Sequence, residues 1–402
     1  MNSRLRFLTA GESHGPLLSG ILEGMPAGLP LRPEEISHDL ARRQKGYGSG
    51  GRMQIERDRV SFTGGVMDGK TTGGPIGLII HNRDWKNWAD KDIPPLTTPR
   101  PGHADLTAAI KYDYDDLRLS LERASARETA VRVAIGAICK SLLAAFGIRI
   151  GGYVVRIGTV GAVIPSETPY ETRFKAAEDS DVRCPDPTAA RAMQEAIRQA
   201  KKDRDTLGGI FEVVALGLPP GLGSHVHYDR RLTGRLLAAM GSIPSIKGAE
   251  IGPAFENTQR PGTQVHDEIT LQGGVLRRRT NRAGGLEGGM TTGEPLVVRA
   301  AMKPISTTLT PLNTIDLATG EPSLTVYERS DFCAVPRAVV VGEAMVAFVL
   351  ADVLLEKLGG DHMSELQERF KRLRQGRLDE LAMRNAPWRF GYDWPNNENN
   401  ED

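Results

Sequence analysis

The densest chemistry in the chain is cationic. Between positions 42 and 59 lie Arg42, Arg43, Lys45, Arg52, Arg57 and Arg59, against only Glu56 and Asp58. Arg100, Arg123, Arg127 and Arg132 follow. A guanidinium fork binds phosphate and carboxylate in bidentate fashion, so such a cluster suits a small polyanion. On a regular amphipathic helix these charges would read as a solvated face. Here they are set among Gly46, Gly48, Gly50 and Gly51, which allow a backbone to approach a ligand closely. Two histidines stand in glycine-flanked loops, Gly11-Glu12-Ser13-His14-Gly15 and Arg100-Pro101-Gly102-His103-Ala104-Asp105. Histidine is the side chain best placed to move protons near neutral pH. His225 and His227 lack a cysteine or acidic third ligand at metal spacing and read as structural, so no metal is expected.

Other groupings are weaker. The glycine-rich run 281–290 is neither a Walker A loop nor a dinucleotide fingerprint, although its backbone could wrap a cofactor. Lys303-Pro304-Ile305-Ser306-Thr307 puts a cation beside two hydroxyls, a grouping that suits phosphate. Asp331, next to Arg329, could accept or position a proton in a closed site. These residues by themselves describe an enzyme for a multiply anionic small molecule, working by histidine acid–base chemistry.

The elements that must position these groups are partly legible. Pro33–Arg43 predicts a helix opened by an early proline. Glu122–Phe146 predicts the strongest helix, with apolar residues at helical spacing from Thr129 and a stop at Gly147. Further helices are predicted at 188–202, 229–240 and 340–357, and a buried strand at 209–218. Residues 44–75 are glycine-rich and strand-like, and the proline-rich stretch 82–102 reads as a long loop, a lid in this reading. No internal repeat at a fixed period stands out. Irregular alternation of strands and helices favours an α+β fold over a doubly wound one. One large domain over 1–375 is expected, followed by a polar, disordered tail over 376–402.

Composition excludes several classes. The balance of 51 basic and 50 acidic residues gives no global attraction to nucleic acid or to a membrane surface. Three scattered cysteines form no CxxC pair, so neither disulfides nor zinc is signalled. The run 339–355 is interrupted and too short to span a bilayer, and the first residues lack the apolar stretch of a signal peptide. A reduced, cytoplasmic protein is expected.

Taken together and in order, TAGESHG (9–15), ARRQKGYGSGGRM (41–53), GKTTGGPIGL (69–78), RPGHAD (100–105), ERASARETAVRVAIGA (122–137), DTLGGI (205–210), GLPPGLGS (217–224), NRAGGLEGGMTTGEPL (281–296), MKPIST (302–307) and RSDFCAVPRA (329–338) resemble the chorismate synthase family. The resemblance implies an α+β domain with helices sandwiched between antiparallel sheets, and a homotetramer. It implies anti-1,4-elimination of phosphate from 5-enolpyruvylshikimate 3-phosphate, the last step of the shikimate pathway. Reduced FMN is needed without net redox change.

By the same resemblance His14 protonates the departing phosphate, His103 protonates or stabilises the reduced flavin, and Asp331 assists proton removal near the flavin. Arg43, Arg52, Arg100, Ser125, Arg127 and Arg329 match substrate-binding positions. Ser49 stands where relatives often carry arginine. Arg123, Ala124, Ser125, Pro244, Ser245, Gly288, Lys303, Pro304, Ile305, Ser306, Thr307 and Arg329 match the flavin-binding set. No reductase domain is evident, so an external flavin reductant is expected rather than intrinsic use of NADPH. The rival readings are an oxidoreductase on a phosphorylated acid, and an anion-binding protein without catalysis.

Overall fold

A computed structural model describes residues 4–48, 57–328 and 330–388. Its chain builds the same unit twice. The first unit runs β1 (Arg6–Ala10), β2 (Leu17–Glu23), α1 (Pro33–Gln44), β3 (Val60–Gly64), the small hairpin β4 (Val66–Met67) and β5 (Lys70–Thr71), and β6 (Ile76–His81). A long connection carrying α2 (Asp105–Tyr112) and α3 (Arg118–Ala124) then leads to α4 (Thr129–Ala144).

The second unit opens with β7 (Arg149–Ile157) and β8 (Val160–Gly161), followed by an insertion bearing α5 (Tyr170–Glu178) and α6 (Pro187–Lys202). It continues with β9 (Gly209–Leu216), α7 (Leu232–Gly241) and β10 (Ile246–Ile251). Two short helical turns, α8 (Ala254–Asn257) and α9 (Gly262–Val265), and the hairpin β11 (Ile269–Gln272) and β12 (Val275–Arg278) come next. The hairpin β13 (Leu286–Glu287) and β14 (Met290–Thr291) leads into β15 (Leu296–Met302). After the hairpin β16 (Asn313–Ile315) and β17 (Pro322–Leu324), the chain enters α10 (Val335–Leu358) and α11 (Met363–Lys371).

The sheets have matching order, β1-β2-β6-β3 in one unit and β7-β9-β15-β10 in the other, with β8 added at the β7 edge. All neighbours are antiparallel. The repeat extends to single hydrogen bonds. Thr71 Oγ1 donates to Pro26 O and accepts from Leu29 N, as Thr291 Oγ1 donates to Pro219 O and accepts from Leu222 N. The pattern GGxxxGxTTGxP stands at 64–75 and again at 284–295. It escapes a search for short periods because the copies lie half a chain apart.

Between the sheets lie α1, α4, α7 and α10, packed on one another as the helical layer of a sandwich. The α+β expectation therefore holds, with helices between antiparallel sheets. Gly136 of α4 meets α10 so closely that a Cβ there would fall 2.3 Å from the Cβ of Ala344. Helix α10 is longer than the sequence reading allowed. By length and composition it could cross a bilayer, yet 94 % of its most apolar window is buried in the protein. A helix apolar on every side is stable in water only when covered on every side.

The two buried acids of α10 are paired. Glu343, wholly buried, accepts from Arg42 Nη1 at 2.7 Å and from Lys140 Nζ at 2.6 Å. Asp352 accepts from Leu5 N at 2.7 Å and pairs with Arg235. The first cluster extends to Asp39, Glu178 and Arg183. Burial alone would raise the pKa of Asp39, but Lys140 and Arg42 outweigh it and hold it at about 2. Glu178 is likewise held at about 2, with Arg42 and Arg183 overcoming burial.

Both folded values lie below the unfolded ones, so the stabilisation is full above the unfolded pKa and is lost as pH falls through the folded one. The urea midpoint is expected to be flat from about pH 7 to 5 and to fall steeply between about pH 4.5 and 2. A midpoint held constant to about pH 3 would show that the cluster carries no such linkage.

The expected continuous helix from Glu122 is broken. Ser125 adopts an extended conformation (φ −64°, ψ 141°), its hydroxyl accepts from Arg127 N, and α4 starts afresh at Thr129. A serine that caps the following turn competes with helix continuation. The boundary drawn at 375 falls beside Gly376, whose carbonyl accepts from Leu276 N at 2.8 Å. Leu378 N in turn donates to Gly274 O at 2.9 Å. The start of the expected tail is thus bonded to the β11–β12 hairpin, and residues 389–402 lie outside the described residues.

Candidate active site

A cavity of about 780 Å³ opens at one end of the helical layer. There α4 and α10 begin while α1 and α7 end, so both units contribute to a single site. Helix N-termini carry partial positive charge and exposed N–H groups, which favours an anion there. The connections that follow the last strand of each unit, 82–128 and 303–334, supply much of the wall.

Arg43, in the last turn of α1, is almost fully buried. Its Nε donates to Thr129 Oγ1 at 3.0 Å and its Nη2 to Ala126 O at 2.9 Å. Nη1 has no hydrogen-bond partner among the described residues and lies 3.6 Å from the Asp58 carboxylate. Burial, and then the neighbouring Arg337, press the Arg43 pKa down to about 9. Its charge is therefore undercompensated, as suits a group awaiting an anion.

Arg127 donates to both oxygens of Asp58 at 2.7 and 2.8 Å, and through Nε to Asn82 Oδ1 at 2.8 Å. Asn82 Nδ2 in turn donates to the carbonyls of Glu12, Ser13 and Gly15, which ties the His14 loop to Arg127. Arg100 donates from Nε to Asp105 Oδ2 at 2.8 Å and from Nη1 to Thr307 Oγ1 at 3.2 Å.

Each histidine is backed by a carboxylate. His14 Nδ1 lies 2.7 Å from Glu122 Oε1, and its ring sits against Trp88 with centroids 4.2 Å apart. His103 Nδ1 lies 2.5 Å from Asp105 Oδ1. Burial would raise the Asp105 carboxyl, but hydrogen bonds from His103 and Arg100 hold it well below the usual range. Ser13 and Ser125 hydroxyls meet at 3.0 Å, and Asp331 pairs with Arg337.

Of the residues singled out from sequence, His14, His103, Asp331, Arg43, Arg100 and Arg127 line this cavity. So do Ala124, Ser125, Pro244, Ser245, Lys303, Ile305, Ser306 and Thr307. Three do not. Arg123 turns to Thr9 O at 2.9 Å. Pro304 sits with its backbone N against Gly208. Gly288 lies in the β13–β14 turn beside His225, away from the cavity wall. Ser49, Arg52 and Arg329 lie outside the described residues.

Sequence reading missed the roles of Asp58, Asn82, Glu122, Trp88 and Arg337. Trp88 belongs to the stretch 82–102, read as a lid, which here forms a wall with Asp84, Asn87 and Lys91. The only available signal was the crowding of polar and aromatic residues in so long a loop.

A cation-lined pocket at paired helix N-termini, with two carboxylate-backed histidines, defines an acid–base enzyme for a small, multiply anionic molecule. The comparisons narrow this class. Residues 5–355 match the family model described as chorismate synthase. The chain is 56 % identical over 375 residues to the chorismate synthase of Syntrophotalea carbinolica, covering 91 % of this chain and 97 % of that one. To the chorismate synthase of Aquifex aeolicus it is 53 % identical over 384 residues, covering 91 % and 96 %. A solved structure titled as a crystal structure of chorismate synthase superposes with a TM-score of 0.76 at 48 % identity, covering 91 % of this chain and 96 % of that one. The chain belongs to the chorismate synthase family.

Proposed function

We infer that the chain converts 5-enolpyruvylshikimate 3-phosphate to chorismate and inorganic phosphate by anti-1,4-elimination. The ring C–O bond to phosphate breaks, a hydrogen is lost across the ring, and a second ring double bond forms. The observation that carries the reading is the convergence of Arg43, Arg100 and Arg127 with His14 and His103 on one cavity, in a chain matching the family along most of its length.

Arg43 and Arg127, fixed through Thr129, Asn82 and Asp58, clamp the substrate's anionic groups together with Arg100. Phosphate leaves more readily when clamped by cations and protonated, and His14 supplies that proton. His103, held by Asp105, keeps a proton beside the cofactor, and Asp331, paired with Arg337, assists removal of the ring hydrogen. Arg52, Ser49 and Arg329 belong to the same proposal from the sequence resemblance alone.

The wall formed by Ala124, Ser125, Pro244, Ser245, Met302, Lys303 and Ile305–Thr307 fits reduced FMN, with apolar surface for a ring system and a cation for its phosphate. Burial, and then Lys247, lower the pKa of Lys303, so its charge is destabilised and an anion there would relieve it. When bound, the reduced flavin supplies electron density as phosphate departs. Arg123, Pro304 and Gly288 join this set by resemblance. A cytoplasmic homotetramer with an external flavin reductant completes the proposal.

The test is anaerobic incubation with substrate and pre-reduced FMN, alongside a sample holding oxidised FMN and NADPH. Equal yields of chorismate and phosphate with catalytic flavin are expected in the first, and none in the second. Stoichiometric flavin oxidation would point to an oxidoreductase, and substrate binding without turnover to a non-catalytic anion binder.

A further inference from the structure

We infer that Glu122 is the positioning residue of His14, fixing its ring as the Nδ1–H tautomer so that protons pass to and from the cavity at Nε2. The inference rests on the reading of His14 as the acid that serves the departing phosphate. Glu122 stands in the last turn of α3, with its side chain 13 % exposed and that of His14 17 %. One carboxylate oxygen accepts the backbone N–H of His14 at 2.7 Å, and the other lies 2.7 Å from Nδ1.

A carboxylate only accepts, so Nδ1 must donate whether the ring carries one proton or two. Burial would raise the Glu122 carboxyl, but the hydrogen bonds from His14, with Arg118 adding its charge, keep it below the usual range and hence ionised. The ring is also held from its face by Trp88, whose Nε1 donates to Asp84 Oδ2 at 3.3 Å. Glu12 in the same loop and Lys91 on the cavity wall also lie about this corner.

Glutamine at this position reverses the logic. The backbone N–H of His14 claims the amide oxygen, which turns the amide NH₂ toward Nδ1. Nδ1 must then accept, the ring proton moves to Nε2, and the doubly protonated ring meets N–H against N–H. Glu122→Gln therefore deprives the ring of the form that can give up a proton at Nε2, while changing neither volume nor the arginine clamp.

The test uses the full chain with reduced FMN and a background of Trp85→Phe, Trp388→Phe and Trp394→Phe, leaving Trp88 as the sole indole. A protonated imidazole quenches an adjacent indole, so Trp88 emission is expected to drop on acidification, and His14→Ala is expected to abolish that drop. In Glu122→Gln the drop is expected to vanish, and kcat to fall by on the order of 10²-fold or more with KM little changed. Glu122→Asp, which keeps a carboxylate but cannot span both contacts, is expected to recover part of both. Unchanged turnover and quenching in Glu122→Gln would overturn the proposal, as would full turnover in Glu122→Asp should the glutamine variant fold poorly. If His14→Ala itself keeps full turnover, the reading of His14 as the acid fails, and the quenching series still decides whether Glu122 governs the ring.

Discussion

Replacing His14 by alanine is expected to lower kcat by roughly 10²- to 10⁴-fold, the usual contribution of a positioned general acid. Chorismate and phosphate should fall together, since both arise from the same elimination. Substrate affinity should change little, because the anion is held by Arg43, Arg100 and Arg127, which are anchored by Thr129, Asp105 and Asn82. The contrast between kcat and KM separates this outcome from a loss of binding. Steady-state rates under anaerobic conditions with pre-reduced FMN are the measurement. A variant within a fewfold of the parent rate would remove His14 from the chemistry and leave His103 as the remaining histidine on the cavity.

Asp58→Asn is expected to cost stability on a scale of about 3–5 kcal/mol, which is the cost of leaving buried charge uncompensated. Asp58 is fully buried at its side chain, takes two hydrogen bonds from Arg127 and lies 3.6 Å from Arg43. Losing charge-assisted hydrogen bonds alone accounts for about 1.5–3 kcal/mol. The larger effect here is two buried guanidiniums left side by side without their shared carboxylate.

The same reasoning predicts the remedy. Inorganic phosphate or substrate, binding the folded state, should raise the urea midpoint of Asp58→Asn more than that of the parent chain. Equal midpoints for the two proteins in phosphate-free buffer would show that Asp58 contributes shape and not charge. Equal shifts on adding phosphate would place the anion away from this pair of arginines.

Much of the site was legible because its chemistry is written in residue types. An excess of arginine among glycines announces a polyanion, and histidines flanked by glycine announce proton transfer, wherever the chain carries them. Local periodicity likewise disclosed α1, α6, β9 and much of α10, since a buried stripe must recur at the period of its element. The ordered motifs pointed to the family along most of the chain.

What escaped was everything that depends on separation in space and not on separation in sequence. Glu122 reaches His14 across 108 positions, and Asp58 reaches Arg127 across 69. No local pattern marks either carboxylate, because a hydrogen bond depends on where folding puts its partners. The helix break at Ser125 was hidden by strong apolar periodicity on its far side, and it is this break that turns Ser125 and Arg127 into the cavity.

The sequence by itself therefore determined which chemistry this protein can perform and where its most strongly periodic segments form helix or strand. Only the tertiary structure decided that two similar units share one helical layer. Their helix ends meet at a single cavity, and each histidine and arginine acquires the buried partner that sets its proton and its direction. The physical reason is that residue chemistry and periodicity are local properties. Burial, ion pairing and the meeting of helix ends arise from contacts between distant parts of the chain, and they come into being only when the two sheets close over the helices.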